Sequence, residues 1–121
     1  MPASRPPADQ LYQHLLQLHN DTFEAERYEL SYHVLAAALH AAEELNSVEL
    51  LTHVQTVAAK RQAEIDRLQP EHRISSEAAK VRGNFALFTS LANIAGAARG
   101  RIAADQTLER LRDDATSKID R

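Results

Sequence analysis

From Phe23 to Leu45 the chain reads FEAERYELSYHVLAAALHAAEEL, without a glycine or proline. Tyr28, Tyr32, Leu35, Leu39 and Ala42 recur there at steps of four and three, which places them on one stripe of a helix. Leu30, Val34, Ala38, Ala41 and Leu45 form a second row beside the first. Two adjacent rows make an apolar face wide enough for two neighbours, so this helix belongs at the centre of a helical packing. Ala36, Ala37, Ala38, Ala41 and Ala42 favour helix and let another backbone come close. Glu26, Glu29, His33, His40 and Glu44 fall on the polar side.

The rest of the chain obeys the same period. Ala8 to His19 predicts a first helix, with Leu11, Leu15 and Leu18 on one stripe. Asn20-Asp21-Thr22 reads as a break, because Asp21 followed by Glu24 resembles a capping box, although with no glycine or proline to force a stop the first two helices could also run on as one. Asn46-Ser47 is the next turn, and Val48 to Leu68 carries Leu51, Val54, Ala58, Ile65 and Leu68 in register before Pro70 stops it. Ser75 or Ser76 caps a fourth helix, on which Ala78, Val81, Phe85, Phe88, Ala92 and Ala95 form one row. Gly83 lies inside that pattern and implies close approach of another backbone. Asp105 opens a last helix with Leu108, Leu111, Ala115 and Ile119 on one side.

No strand pattern occurs, and the loops are short. The expectation is an all-α fold, a four- to five-helix antiparallel up-and-down bundle. Residues 1–7 read as a disordered lead-in, 8–104 as the bundle, and 105–121 as a C-terminal helix or mobile tail. Leu35, Leu39, Val54, Phe85 and Phe88 are expected to be buried together.

Composition narrows the function classes. With no cysteine there is no disulfide, thiolate metal site or thiol nucleophile. No apolar run reaches the roughly 18 residues needed to cross a membrane. The opening MPASRPPADQ lacks the apolar core of a signal peptide, so a cytoplasmic address is expected. A net charge of −3 argues against a general nucleic-acid footprint. Charge is unevenly spread: Asp21 to Asn46 holds six acids and only Arg27, while Glu71 to Gly100 is basic on balance. Helices of opposite sign in one bundle are expected to face each other at their rims.

One resemblance enters here. YELSYHVLAAALHAAEELNS followed by VELLTHVQTVAA looks like a helix–turn–helix unit of the tetratricopeptide type. Tyr28, Leu35, Ala38 and Ala42 stand where such a unit places a large residue and close-packing small ones. The resemblance covers one hairpin, and no second copy follows at the repeat's period of about 34 residues. It implies a peptide- or protein-binding role.

Three sets of residues could carry chemistry or binding. Glu26, Glu29, His33 and His40 share one side of the central helix, a spacing at which Glu and His can hold a metal ion. A di-iron bundle would need Glu-x-x-His pairs, and His40-x-x-Glu43 runs in the reverse order. A solvated face is the simpler account. Arg73, Ser75, Ser76, Lys80 and Arg82 cluster at a helix start, where backbone N–H groups and basic side chains can hold an anion. Tyr28 and Tyr32 could stack on a ligand, or sit in the core with their hydroxyls at the rim. No phosphate loop, nucleophile elbow or dinucleotide fingerprint is present, so neither catalysis nor a cofactor is expected.

The reading that unites these features is a small non-enzymatic helical module for protein–protein interaction or self-assembly. Its expected partner is a second copy or another protein, met through Tyr28, Tyr32, Ala37, Ala41, Ala95 and Ala98, with no nucleic acid and no membrane. A homodimer follows from the uncovered apolar rows on the central and fourth helices. Folding back of Leu108, Leu111, Ala115 and Ile119 is the competing cover. The rival functions are a His/Glu metal-binding bundle and a repeat-like peptide-binding module.

Overall fold

The computed structural model describes residues 8–119, so the lead-in expected at 1–7 lies outside the described residues. Among these residues five helices follow one another: α1 (Ala8–Glu24), α2 (Tyr28–Glu44), α3 (Val48–Leu68), α4 (Ser76–Val81) and α5 (Leu87–Ile119). Among the described residues there is no strand, and the fold is an all-α bundle.

Helices α1 and α2 form one close antiparallel pair, and α3 and α5 form another. Helix α2 touches α1, α3 and α5, which is why it needs two apolar rows. The two pairs bury one core. Tyr12 and Phe23 enter it from α1, Tyr28, Leu35 and Leu39 from α2, Leu51, Val54 and Ile65 from α3, and Phe88 and Leu91 from α5.

The first turn differs from the expected one. Asn20-Asp21-Thr22 stays helical because its polar side chains find partners without opening the backbone. The Thr22 hydroxyl donates back to the carbonyls of Leu18 and His19, and Asn20 accepts from Arg61. The chain instead turns at Ala25-Glu26-Arg27, where Glu26 takes a left-handed φ of 60°. The Arg27 N–H reaches Thr22 O and the Glu26 N–H reaches Phe23 O, which is a Schellman termination. Glycine or asparagine usually marks that position, and this sequence holds glutamate. Asn46, with φ 50°, ends α2 in the same way.

The long fourth helix expected from the apolar row is two helices. Gly83 takes φ 74° and ends α4, with Gly83 N–H on Lys80 O and Asn84 N–H on Ala79 O. A Cβ placed on Gly83 would have no atom within 4 Å, so backbone conformation explains the residue and close approach does not. At Gly96 a Cβ would stand 2.8 Å from Nε2 of Gln55, a contact with a side chain and not with another backbone. The interruption also turns Phe85 outward, and it is 74% exposed. Leu35, Leu39, Val54 and Phe88 are buried together as expected, and Phe85 leaves that set.

The helix expected from Asp105 is the second half of α5 and not a separate element. It does not fold back over the bundle, and Leu108 and Leu111 remain exposed. The Ile119 side chain lies outside the described ones. Among the described residues no helix is long and apolar enough to cross a membrane.

Candidate functional site

Helix α1 is apolar on two sides. Tyr12, Leu16, His19 and Phe23 recur at helical spacing and face inward, with Leu16 partly buried and the others fully so. Leu11, Leu15 and Leu18 form the other stripe. They line a groove of about 490 Å³ against α2, together with Ala37 and Ala41 and with His14, His40 and Glu44. The small side chains of Ala37 and Ala41 hollow the groove out. Leu11 and Leu18 are each 48% exposed. Ala37 and Ala41 are thus the two expected contact alanines that reach a surface. Ala95 and Ala98 are buried in the core, as is Tyr28, and Tyr32 packs edge-on against Phe88. These four are engaged within the chain's own fold.

The aromatic pair serves the core. The Tyr28 ring lies edge-on to His72 at 5.1 Å, and its hydroxyl accepts from Gln69 at 3.0 Å. The residues carrying the tetratricopeptide-type likeness, Tyr28, Leu35, Ala38 and Ala42, are all buried, so the likeness rests on packing positions.

The His/Glu stripe does not converge. His33 and His40 are exposed, His40 lies beside Glu43 at 3.4 Å, and Arg73 is ion-paired with Glu29. Glu26 accepts a long hydrogen bond from Gln69. Among the described residues no three His, Asp or Glu side chains are grouped to hold a metal ion. Glu29 and His33 instead share a surface cleft with Arg27, Tyr28, Leu30, His72 and Arg73.

The basic cluster also disperses. Ser75 is buried and caps α4, accepting from the Ala78 N–H at 3.1 Å and donating to Pro70 O at 2.7 Å. Ser76 donates its N–H and hydroxyl to the Asp66 carboxylate at 2.7 and 2.6 Å. A carboxylate of the chain itself occupies the position that an anion would take at the start of α4. Lys80 and Arg82 point to solvent and Arg73 pairs with Glu29.

A buried polar centre around His19 involves residues on none of these stripes. His19 is fully buried between α1, α2 and α3. Arg61 donates from Nε to His19 Nε2 at 3.1 Å, so Nε2 is the acceptor and the proton sits on Nδ1. From there it is donated to Ser31 O at 2.8 Å, with Ser31 Oγ at 3.0 Å. Arg61 also donates to Asn20 Oδ1 at 2.7 Å and stacks over the Phe23 ring at 4.2 Å. Burial pushes the His19 pKa down; the Ser31 carbonyl opposes this, Arg61 adds to it and Glu64 opposes it. The one sequence signal for His19 is its place on the inward row of α1. The arrangement fastens α3 to the α1–α2 pair and leaves no ring nitrogen free for chemistry.

No family model, curated protein or solved structure matches this chain.

Proposed function

We propose that this protein is a cytoplasmic helical interaction module whose groove between α1 and α2 receives an apolar helix face of another protein. The carrying observation is the groove itself: Leu11, Leu15 and Leu18 face the small Ala37 and Ala41, and no other described element closes it. Leucines opposite alanines form the ridge-and-hollow surface into which a helix lays side chains at i, i+3 or i+4, and i+7. The exposed His14, His40 and Glu44 also line it, and can supply a polar rim around an apolar centre. The metal-binding alternative draws no support from the dispersed His/Glu stripe. A peptide groove at Tyr28 and Tyr32 draws none from two rings engaged in packing.

Selection of amphipathic helical peptides on the full-length protein tests this reading. Selected peptides should carry leucines at the stated spacing. They should lose binding to Ala41→Trp, which fills the hollow, and to Leu18→Asp, while both variants unfold as cooperatively as the parent. A selection that yields no binder, or binders indifferent to both substitutions, would overturn the proposal.

A further inference from the structure

Helix α5 outlasts the bundle that it helps to build. Ile102 is its last buried residue, and from Ala104 to Ser117 every side chain is exposed. At 1.5 Å per residue this overhang extends about 20 Å. It leaves the bundle beside the α2–α3 turn, where Gln106 Nε2 donates to Asn46 O at 2.9 Å. No glycine or proline follows Gly100, so nothing in the sequence turns the helix back.

The overhang carries a heptad seam. Ala104, Leu108, Leu111 and Ala115 recur at steps of four, three and four. Leu108 is 52% exposed and Leu111 59%. The order Ala, Leu, Leu, Ala reads the same in both directions. We infer that this segment pairs with the same segment of a second copy, antiparallel, about a two-fold axis between Leu108 and Leu111.

Residue size and charge both support that occupant and that direction. Antiparallel pairing sets Leu108 against Leu111 of the second copy, and Ala104 against Ala115 of the second copy, each contact occurring twice. The small outer layers let the helices close on the two leucine layers. In an antiparallel pair the same flank of both helices meets itself. Asp105 and Arg112 share one flank, so Asp105 faces Arg112 of the second copy, again twice. Thr107 and Asp114 share the other flank and bring no like charges together. A parallel pair would set Thr107 beside Arg112, without an opposite-charge pair. From Ala104 to Ala115, opposite charges meet across the flanks in the antiparallel direction only.

The chain has no cysteine, so introduced thiols are unique. Full-length Ala104→Cys and Ala115→Cys proteins, oxidised separately and then as a mixture, should form the disulfide between the two variants in preference to either symmetric one. Sedimentation equilibrium should show a dimer that Arg112→Asp weakens about tenfold and that Asp105→Arg combined with Arg112→Asp restores. All four positions are exposed, and circular dichroism should show an unchanged helix content. A monomer at every concentration would overturn the inference, as would preferential Ala104→Cys self-linkage, which reports a parallel pair. A dimer indifferent to Arg112→Asp but lost in Leu18→Asp would overturn it too, since the α1–α2 groove would then be the interface. None of the α5 substitutions alters α1 or α2, so a failure here leaves the peptide-binding test of the groove independent.

Discussion

Arg61 and His19 stand 42 positions apart in the chain and share one hydrogen bond of 3.1 Å, from guanidinium Nε to imidazole Nε2. The bond requires a neutral ring. Protonating Nε2 would remove the acceptor and set two cations in contact within a buried site.

The first prediction is a pH dependence. The folded-state pKa of His19 lies below its ordinary 6.5, so the unfolded chain binds that proton at a higher pH than the native one. The stabilising contribution is therefore complete above pH 6.5 and is lost as pH falls from there through the folded pKa. Urea denaturation across this window should show the parent losing stability as pH falls. His19→Gln keeps an oxygen acceptor for Arg61 and removes the titration, so its stability should change less over the same window. Equal slopes for the two proteins would remove His19 from the explanation.

Phe88 and Phe85 should respond oppositely to truncation. Phe88 is fully buried against His19, Phe23 and Tyr32. Phe88→Ala should cost about 3–5 kcal/mol through lost transfer energy and the cavity left behind. Phe85→Ala removes a ring already in water and should stay within about 0.5 kcal/mol of the parent. Chemical denaturation of the two single variants compares them directly.

Glycines divide in the same way. Gly83→Ala places a Cβ on a residue at φ 74° and should destabilise by about 1 kcal/mol. Gly100 lies inside α5, and a Cβ added there would meet nothing within 4 Å. Gly100→Ala should stabilise by about 0.5–1 kcal/mol through helix propensity. The sign of each change in urea midpoint is the readout.

The Asp66 carboxylate organises the start of α4. Burial pushes its pKa up, but hydrogen bonds from the Ser76 N–H, the Ser76 hydroxyl and Gln62 outweigh this and hold it below 3.8. The stability it contributes is present above pH 3.8 and is lost as pH falls through the folded pKa. Asp66→Asn should cost about 1 kcal/mol near neutral pH, the scale of a lost helix cap, and flatten the acid limb of the stability profile. An unaltered acid limb would show that the carboxylate contributes no pH-dependent stability.

Much of the architecture was legible because helical periodicity is a local property. Tyr28, Leu35, Leu39 and Ala42 lie on one stripe whatever surrounds them, and the two-row face of α2 implies more than one neighbour. Punctuation was less legible. Asp21 and Glu24 have capping spacing, yet Arg61 and the helix's own carbonyls satisfy the polar groups around them, and the turn falls at Glu26. Gly83 is compatible with a helix interior and with a left-handed stop, and the split between α4 and α5 is what exposes Phe85.

The sequence by itself determined the helical class, the stripes on each helix and the absence of thiol chemistry, since these depend on residue type and spacing along one chain. The tertiary structure alone decided which stripe each helix buries. The inward row of α1 makes His19 a core residue bonded to Arg61, while the other row leaves Leu11 and Leu18 on an open groove. It also decided that Asp66 fills the start of α4 and that α5 carries Leu108 and Leu111 beyond the bundle. The physical reason is that burial and hydrogen-bond partnership depend on neighbours brought together across dozens of residues, which no local period encodes.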